Sequence, residues 1–139
     1  MSRIIKPQSS SNLRRKIMQG MAFSLNRAAQ SVPQDIDIKD VAAFVILGLQ
    51  EIVASVDQTA SAWEKRDYWL KADKFRLEWI WAEHNLRQIS QALETEEWGE
   101  MTVAFGDLAG HLSDVKIPQK LKDTRPWVGA FEAWRRQSN

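Results

Sequence analysis

The sequence predicts an all-α fold: an up-down four-helix bundle with a short C-terminal helical extension. Two observations carry this. Four successive stretches repeat apolar residues at spacings of three and four, the period of one helix face. No stretch alternates in the manner of a strand. Composition agrees: 139 residues, 44% hydrophobic and 27% charged, suit one soluble core, and there is no cysteine to staple it. The chain reads as a single domain over residues 1–139, with the bundle core over about 10–115 and the extension over 116–139.

The first helix is expected after the polar lead-in Pro7 to Ser11, with Ser10 or Ser11 as N-cap. Leu13, Ile17, Met21, Leu25 and Ala28 form its apolar stripe, and Val32-Pro33 stops it, because proline lacks an N–H and disfavours helical geometry in the residue before it. The second helix starts near Asp37, a residue suited to capping. Its stripe runs from Val41 through Phe44, Leu49, Ile52 and Val56 to Trp63, roughly 40 Å of helix. Gly48 interrupts it, and a close helix–helix approach is the expected reason. A boundary near Arg66-Asp67 separates the third helix, whose stripe is Phe75, Trp79, Ala82, Leu86, Ile89 and Leu93. The fourth carries Trp98, Met101, Phe105, Leu108, Leu112 and Val115 and ends before Pro118. Such alternating spacings form the seam of helices crossing at about 20°. A short helix is expected in the tail around Trp127, Phe131 and Trp134.

The third helix carries more apolar surface than one seam uses. Leu77, Ile80 and Trp81 lie off its stripe, with Tyr68, Trp69 and Leu70 at its start. A second apolar face asks for a second neighbour, and another subunit is the expected one. Of the seven tryptophans, Trp79 and Trp98 sit on core stripes; Trp134-Arg135-Arg136 has the composition of a base-stacking site.

Catalytic and metal chemistry find little support. Without cysteine there is no thiolate nucleophile and no cysteine-ligated zinc. A di-iron bundle needs Glu three residues before His, but Trp81 and Leu108 occupy those places before His84 and His111. No Gly-x-Ser-x-Gly or glycine-rich phosphate loop occurs. A helical ribonuclease of the HEPN type pairs an Arg with a His four to six residues on; Arg76 and His84 lie farther apart than that. The expectation is a protein without catalytic residues, metal or cofactor. No N-terminal apolar run suits a signal peptide, and the run Val41 to Leu49 is too short to span a bilayer, so a cytoplasmic location without membrane association is expected.

A formal net charge of +1 conceals segregation. Residues 1–31 hold Arg3, Lys6, Arg14, Arg15, Lys16 and Arg27 and no acid, whereas residues 91–114 hold Glu94, Glu96, Glu97, Glu100, Asp107 and Asp114 and no Lys or Arg. The tail is basic again. This pattern suits a polyanion-binding face, a head-to-tail subunit contact, or solvated faces that balance one another.

Three segments carry a resemblance. Ala28-Ala29-Gln30-Ser31-Val32-Pro33, then Tyr68-Trp69-Leu70-Lys71-Ala72-Asp73 with Arg76-Leu77, and then Phe105-Gly106-Asp107-Leu108-Ala109-Gly110-His111-Leu112 occur in the order and spacing of a family of small four-helix bundle proteins. The chain resembles, over roughly residues 12–115, the proteins encoded in 23S ribosomal RNA intervening sequences and the accessory variability determinant of diversity-generating retroelements. The resemblance implies a ring-like homopentamer that catalyses nothing and binds a reverse transcriptase and its template RNA to support mutagenic cDNA synthesis. On that reading Arg14, Arg15, Lys16, Arg27, Arg135 and Arg136 contact RNA, and Leu77, Ile80 and Trp81 form the oligomer interface. The alternatives are a scaffolding bundle that binds another protein without nucleic acid, and the helical ribonuclease.

Overall fold

Helix α1, Pro7–Ala29, begins on a proline, which suits the first turn because the N–H it lacks would have no intrahelical partner there. The computed structural model describes residues 7–30 and 36–137. The expected stop at Val32-Pro33 and the basic residues Arg3 and Lys6 lie outside the described residues. The chain is all-helical, with no strand among the described residues and with five further α-helices: α2 (Ile38–Glu64), α3 (Trp69–Glu78), α4 (Ile80–Thr95), α5 (Trp98–His111) and α6 (Ala130–Gln137). No helix among these residues is long and apolar enough to cross a membrane.

The α1 start falls one turn before the expected Ser10 or Ser11 cap, and Ser10 is buried within the helix. Asp37 does cap α2, its Oδ1 accepting from the Lys39 N–H at 2.9 Å. Two positions in left-handed geometry turn the chain: Asp67 (φ 63°) between α2 and α3, and Glu96 (φ 54°) after α4. At the second, the Glu97 N–H returns to the Ala92 carbonyl at 3.0 Å, closing the helix end in a Schellman-type turn.

Central to the packing is α2, which contacts α1, α3, α4 and α6; α5 packs on α4 and along α1. α1 and α2 run antiparallel, with Arg14 beside Ser55 and Gly20 beside Phe44. α4 and α5 are antiparallel too, with Trp81 at His111 and Asn85 at Asp107. Met21, Val45, Ile46, Leu49, Ile52, Ile89, Met101 and Leu108 are buried between these helices. A Cβ on Gly48 would lie 3.0 Å from an Ile17 methyl and 3.2 Å from the Met21 sulfur, so the glycine sits where α1 crosses α2 closely, as expected. Gly48→Leu is expected to cost about 1–3 kcal/mol by overpacking, read as a lower urea midpoint at unchanged slope. An unchanged midpoint would mean that α1 can shift without loss.

Three expectations are corrected. The third helix is two helices: at Trp79 (φ −111°, ψ 9°) the regular ladder breaks, and the Trp79 N–H closes a tight turn onto the Arg76 carbonyl at 3.2 Å. The break lets Trp79 and Trp81 both turn inward, their rings 5.6 Å apart, which one straight helix face does not permit. The fourth helix ends at His111 rather than near Pro118; Leu112 and Val115 continue the packing from a turn. Trp98 is 40% exposed instead of core, while Trp127 of the tail is 1% exposed.

That last value describes how the tail is held. Trp127 packs on Phe23 of α1, ring centroids 6.0 Å apart, and on Val41 of α2, with Ile117 and Leu121 alongside. Gly129 then takes φ +83°, a conformation that side chains resist, and turns the chain into α6. The Asp40 carboxylate accepts the Phe131 N–H at 3.0 Å, and Gln137 Nε2 donates to the side-chain Oε1 of Gln50 at 3.1 Å, laying α6 parallel to the first half of α2.

Candidate functional site

Two arginines lock the joint between α2 and the α3–α4 pair, and they do so oppositely. Arg76, near the end of α3, donates to both Glu64 and Asp57 on α2, reaching Asp57 at 3.1 Å. The bonds to Glu64 and then to Asp57 hold its guanidinium more firmly protonated than usual. Arg14 enters the same joint from α1 with only 6% of its surface exposed. Its guanidinium donates to Ser55 Oγ at 2.7 Å and lies 5.1 Å from the Phe75 ring and 5.4 Å from the Trp79 ring. No carboxylate of a described residue pairs with it, and burial pulls its pKa below the ordinary value, leaving a charged group held by ring faces.

Outside this joint lies an open groove of about 880 Å³ between α2 and α3–α4. Val53, Trp79 and Leu86 line it, and Leu77 and Ile80 stand on it, 67% and 57% exposed. No described residue covers most of either side chain, and α6 packs instead along the first half of α2. Trp81 does not join them. The break at Trp79 turns it inside, where it stacks on His111 at 5.0 Å and 10°. The groove also holds Asp57, Asp73 and Glu83, of which Asp57 is engaged by Arg76 and Glu83 lies 3.7 Å from Arg87.

The expected RNA-contacting residues are scattered. Arg14 is interior and cannot reach a phosphate. Arg15 and Lys16 are exposed on the first half of α1, Arg15 donating to Asn12 at 3.1 Å. Arg27 is half-buried over the Phe23 ring, about three helical turns farther along. Arg135 and Arg136 are exposed on α6, Arg135 lying 3.9 Å from Glu132. Arg15–Lys16 on α1 and Arg135–Arg136 on α6 are exposed pairs adjacent in sequence.

A second polar cluster joins α4 to α5. Buried Asn85 donates to the Trp81 carbonyl at 2.8 Å and to Asp107 at 3.1 Å, while its own carbonyl oxygen has no partner. Both neighbours are acceptors, which fixes the orientation of the amide. His84 is exposed on the outer face of α4, and the Arg76 guanidinium is turned toward α2. Among the described residues no three His, Asp or Glu side chains assemble as a metal site.

Sequence reasoning noted Tyr68, Trp69 and Leu70 as apolar surplus but not their setting. They are 54%, 58% and 73% exposed at the corner between α2 and α3, among Lys65, Arg66, Lys71 and Lys74. The signal was available as aromatic residues interleaved with basic ones at a helix boundary. Comparison of the chain with protein-family models, with curated proteins and with solved structures finds no match.

Proposed function

We propose that this protein is a non-catalytic subunit of a homo-oligomer, joined through the Leu77–Ile80 face, that binds a reverse transcriptase and its template RNA in the manner its resemblance to the retroelement accessory proteins implies. The observation that carries the assembly is the uncovered apolar pair at 67% and 57% exposure over an open groove. Large side chains presented together beside a concave wall are what a subunit contact buries. An up-down four-helix bundle made of α1, α2, α3–α4 and α5, with α6 as the extension, is the architecture this reading uses. The successive contacts of α1 with α2, α2 with α4, α4 with α5 and α5 with α1 support it.

The test is mass in solution. One chain weighs 16.0 kDa, and a homopentamer is expected by light scattering behind a sizing column. Leu77→Glu with Ile80→Glu is expected to release monomers that keep the helical circular-dichroism signal, since both side chains are exposed on the single chain. A monomeric wild-type protein would sink the assembly reading.

One finding favours the scaffolding alternative. Arg14 is interior and Arg27 lies apart from the other expected contacts, so the first half of the chain offers RNA less positive surface than its composition suggests. An assembly that forms normally but retains no RNA would select that alternative.

A further inference from the structure

At the corner between α2 and α3, exposed aromatic rings and exposed cations meet on a short stretch of chain. Trp63 to Lys65 end α2, Asp67 turns the chain at φ 63°, and Trp69 opens α3. The turn is held by backbone: the Tyr68 N–H returns to the Trp63 carbonyl at 2.9 Å, and the Ala72 N–H to Tyr68 at 3.1 Å. More than half of each of the Tyr68 and Trp69 side chains is exposed.

Charge at this corner is decided by pairing. Glu64 is consumed by Arg76, which it shares with Asp57. That leaves Lys65, Arg66, Lys71 and Lys74 against Asp67 and Asp73, all exposed, so the corner is locally positive although the chain is nearly neutral. Lys71 is held with its ammonium 4.6 Å over the Trp63 ring.

We infer that the α2–α3 corner binds single-stranded nucleic acid, with unpaired bases stacking on Tyr68 and Trp69 and phosphates held by Lys65, Arg66 and Lys74. Exposed π faces beside cations suit this ligand because every base offers a face to stack on and every linkage carries a charge. An anionic membrane would meet the same cations. Asp67, however, stands at the tip between Arg66 and Tyr68, where a bilayer-inserting turn would have to bury its carboxylate. A strand can thread past it. The inference rests on the RNA-binding part of the proposed function and replaces buried Arg14 as the expected contact.

The experiment measures anisotropy of a fluorescein-labelled 20-nucleotide oligouridine with the full chain, between 50 and 200 mM salt. Tyr68→Ala with Trp69→Ala is expected to weaken binding by about tenfold or more at unchanged salt slope. Tyr68→Phe with Trp69→Phe is expected to retain it, since the ring face is kept. Lys65→Gln, Arg66→Gln and Lys74→Gln together are expected to lower the slope of log affinity against log salt by about two units. The same sequence paired as a duplex is expected to bind more weakly, its bases being unavailable. If the wild type binds but both sets of variants bind equally well, the corner is overturned while the RNA reading stands. If the wild type binds no oligouridine, both fall. Loss of sedimentation with phosphatidylserine vesicles in the alanine pair, with oligouridine binding intact, would assign the corner to a membrane and overturn the inference.

Discussion

Trp127→Ala is expected to destabilise the protein by about 3–5 kcal/mol, lowering the melting temperature by about 10–15 °C. The residue lies far along the chain from the repeating helices, yet it is the largest fully buried side chain, at 1% exposure. It fills the space between Phe23 on α1 and Val41 on α2, with Ile117 and Leu121 from its own segment closing over the same cluster. Truncation removes the apolar area of an indole and leaves a cavity that two crossed helices are poorly able to collapse. The loss should reach α6 as well, because Trp127 positions the Gly129 turn that brings the Phe131 N–H to Asp40. Urea and thermal unfolding measure the effect, with Val128→Ala as control. Val128 is 66% exposed, and its truncation should stay within about 0.5 kcal/mol. A loss under about 1 kcal/mol for Trp127→Ala would show that the tail is a removable appendage.

Arg14→Ala is expected to cost about 2–4 kcal/mol, and Arg14→Met markedly less. The alanine change empties the slot between the Phe75 and Trp79 rings and strips Ser55 of its donor. The methionine change refills the slot with a flexible apolar chain and relieves the desolvation that already lowers the arginine's affinity for its proton. Loss of the ring contacts and of one charge-assisted hydrogen bond opposes that relief. The ordering Ala worse than Met separates a packing role from an electrostatic one; equal losses would mean that the charge itself holds α1 to the joint. Neither variant should alter the salt slope of RNA binding beyond what unfolding explains, because the group faces inward.

Much of this fold was legible in the chain because it is local. Spacings of three and four are set by 3.6 residues per turn, so the existence of the helices follows from short stretches of sequence. Asp37 as cap and the close crossing at Gly48 are legible for a similar reason, each resting on a local requirement that few residue types meet, whereas no glycine or proline marks the boundary at Arg66-Asp67. The extra apolar face of the third helix was readable as Leu77 and Ile80, because seam residues account for only part of its apolar content.

Only the tertiary structure decided which side chains sit inside where local signals tie. Leu13 and Arg14 are neighbours on α1, separated by about 100° around its axis, and hydrophobicity alone sends Leu13 inward. Leu13 is instead 46% exposed and Arg14 buried, because Phe75, Trp79 and Ser55, all distant in sequence, form a polarised slot that suits a guanidinium. Trp79 likewise obeys a continuous helical pattern, but packing both it and Trp81 inward requires the ladder to break. Trp127 shares the helical spacing of Phe131 and Trp134, but α6 begins only at Ala130 and that spacing does not announce full burial; its place is set by a gap that exists only once α1 and α2 have crossed. Periodicity belongs to a segment and can be read from it, whereas a slot belongs to several segments at once and arises only from their packing.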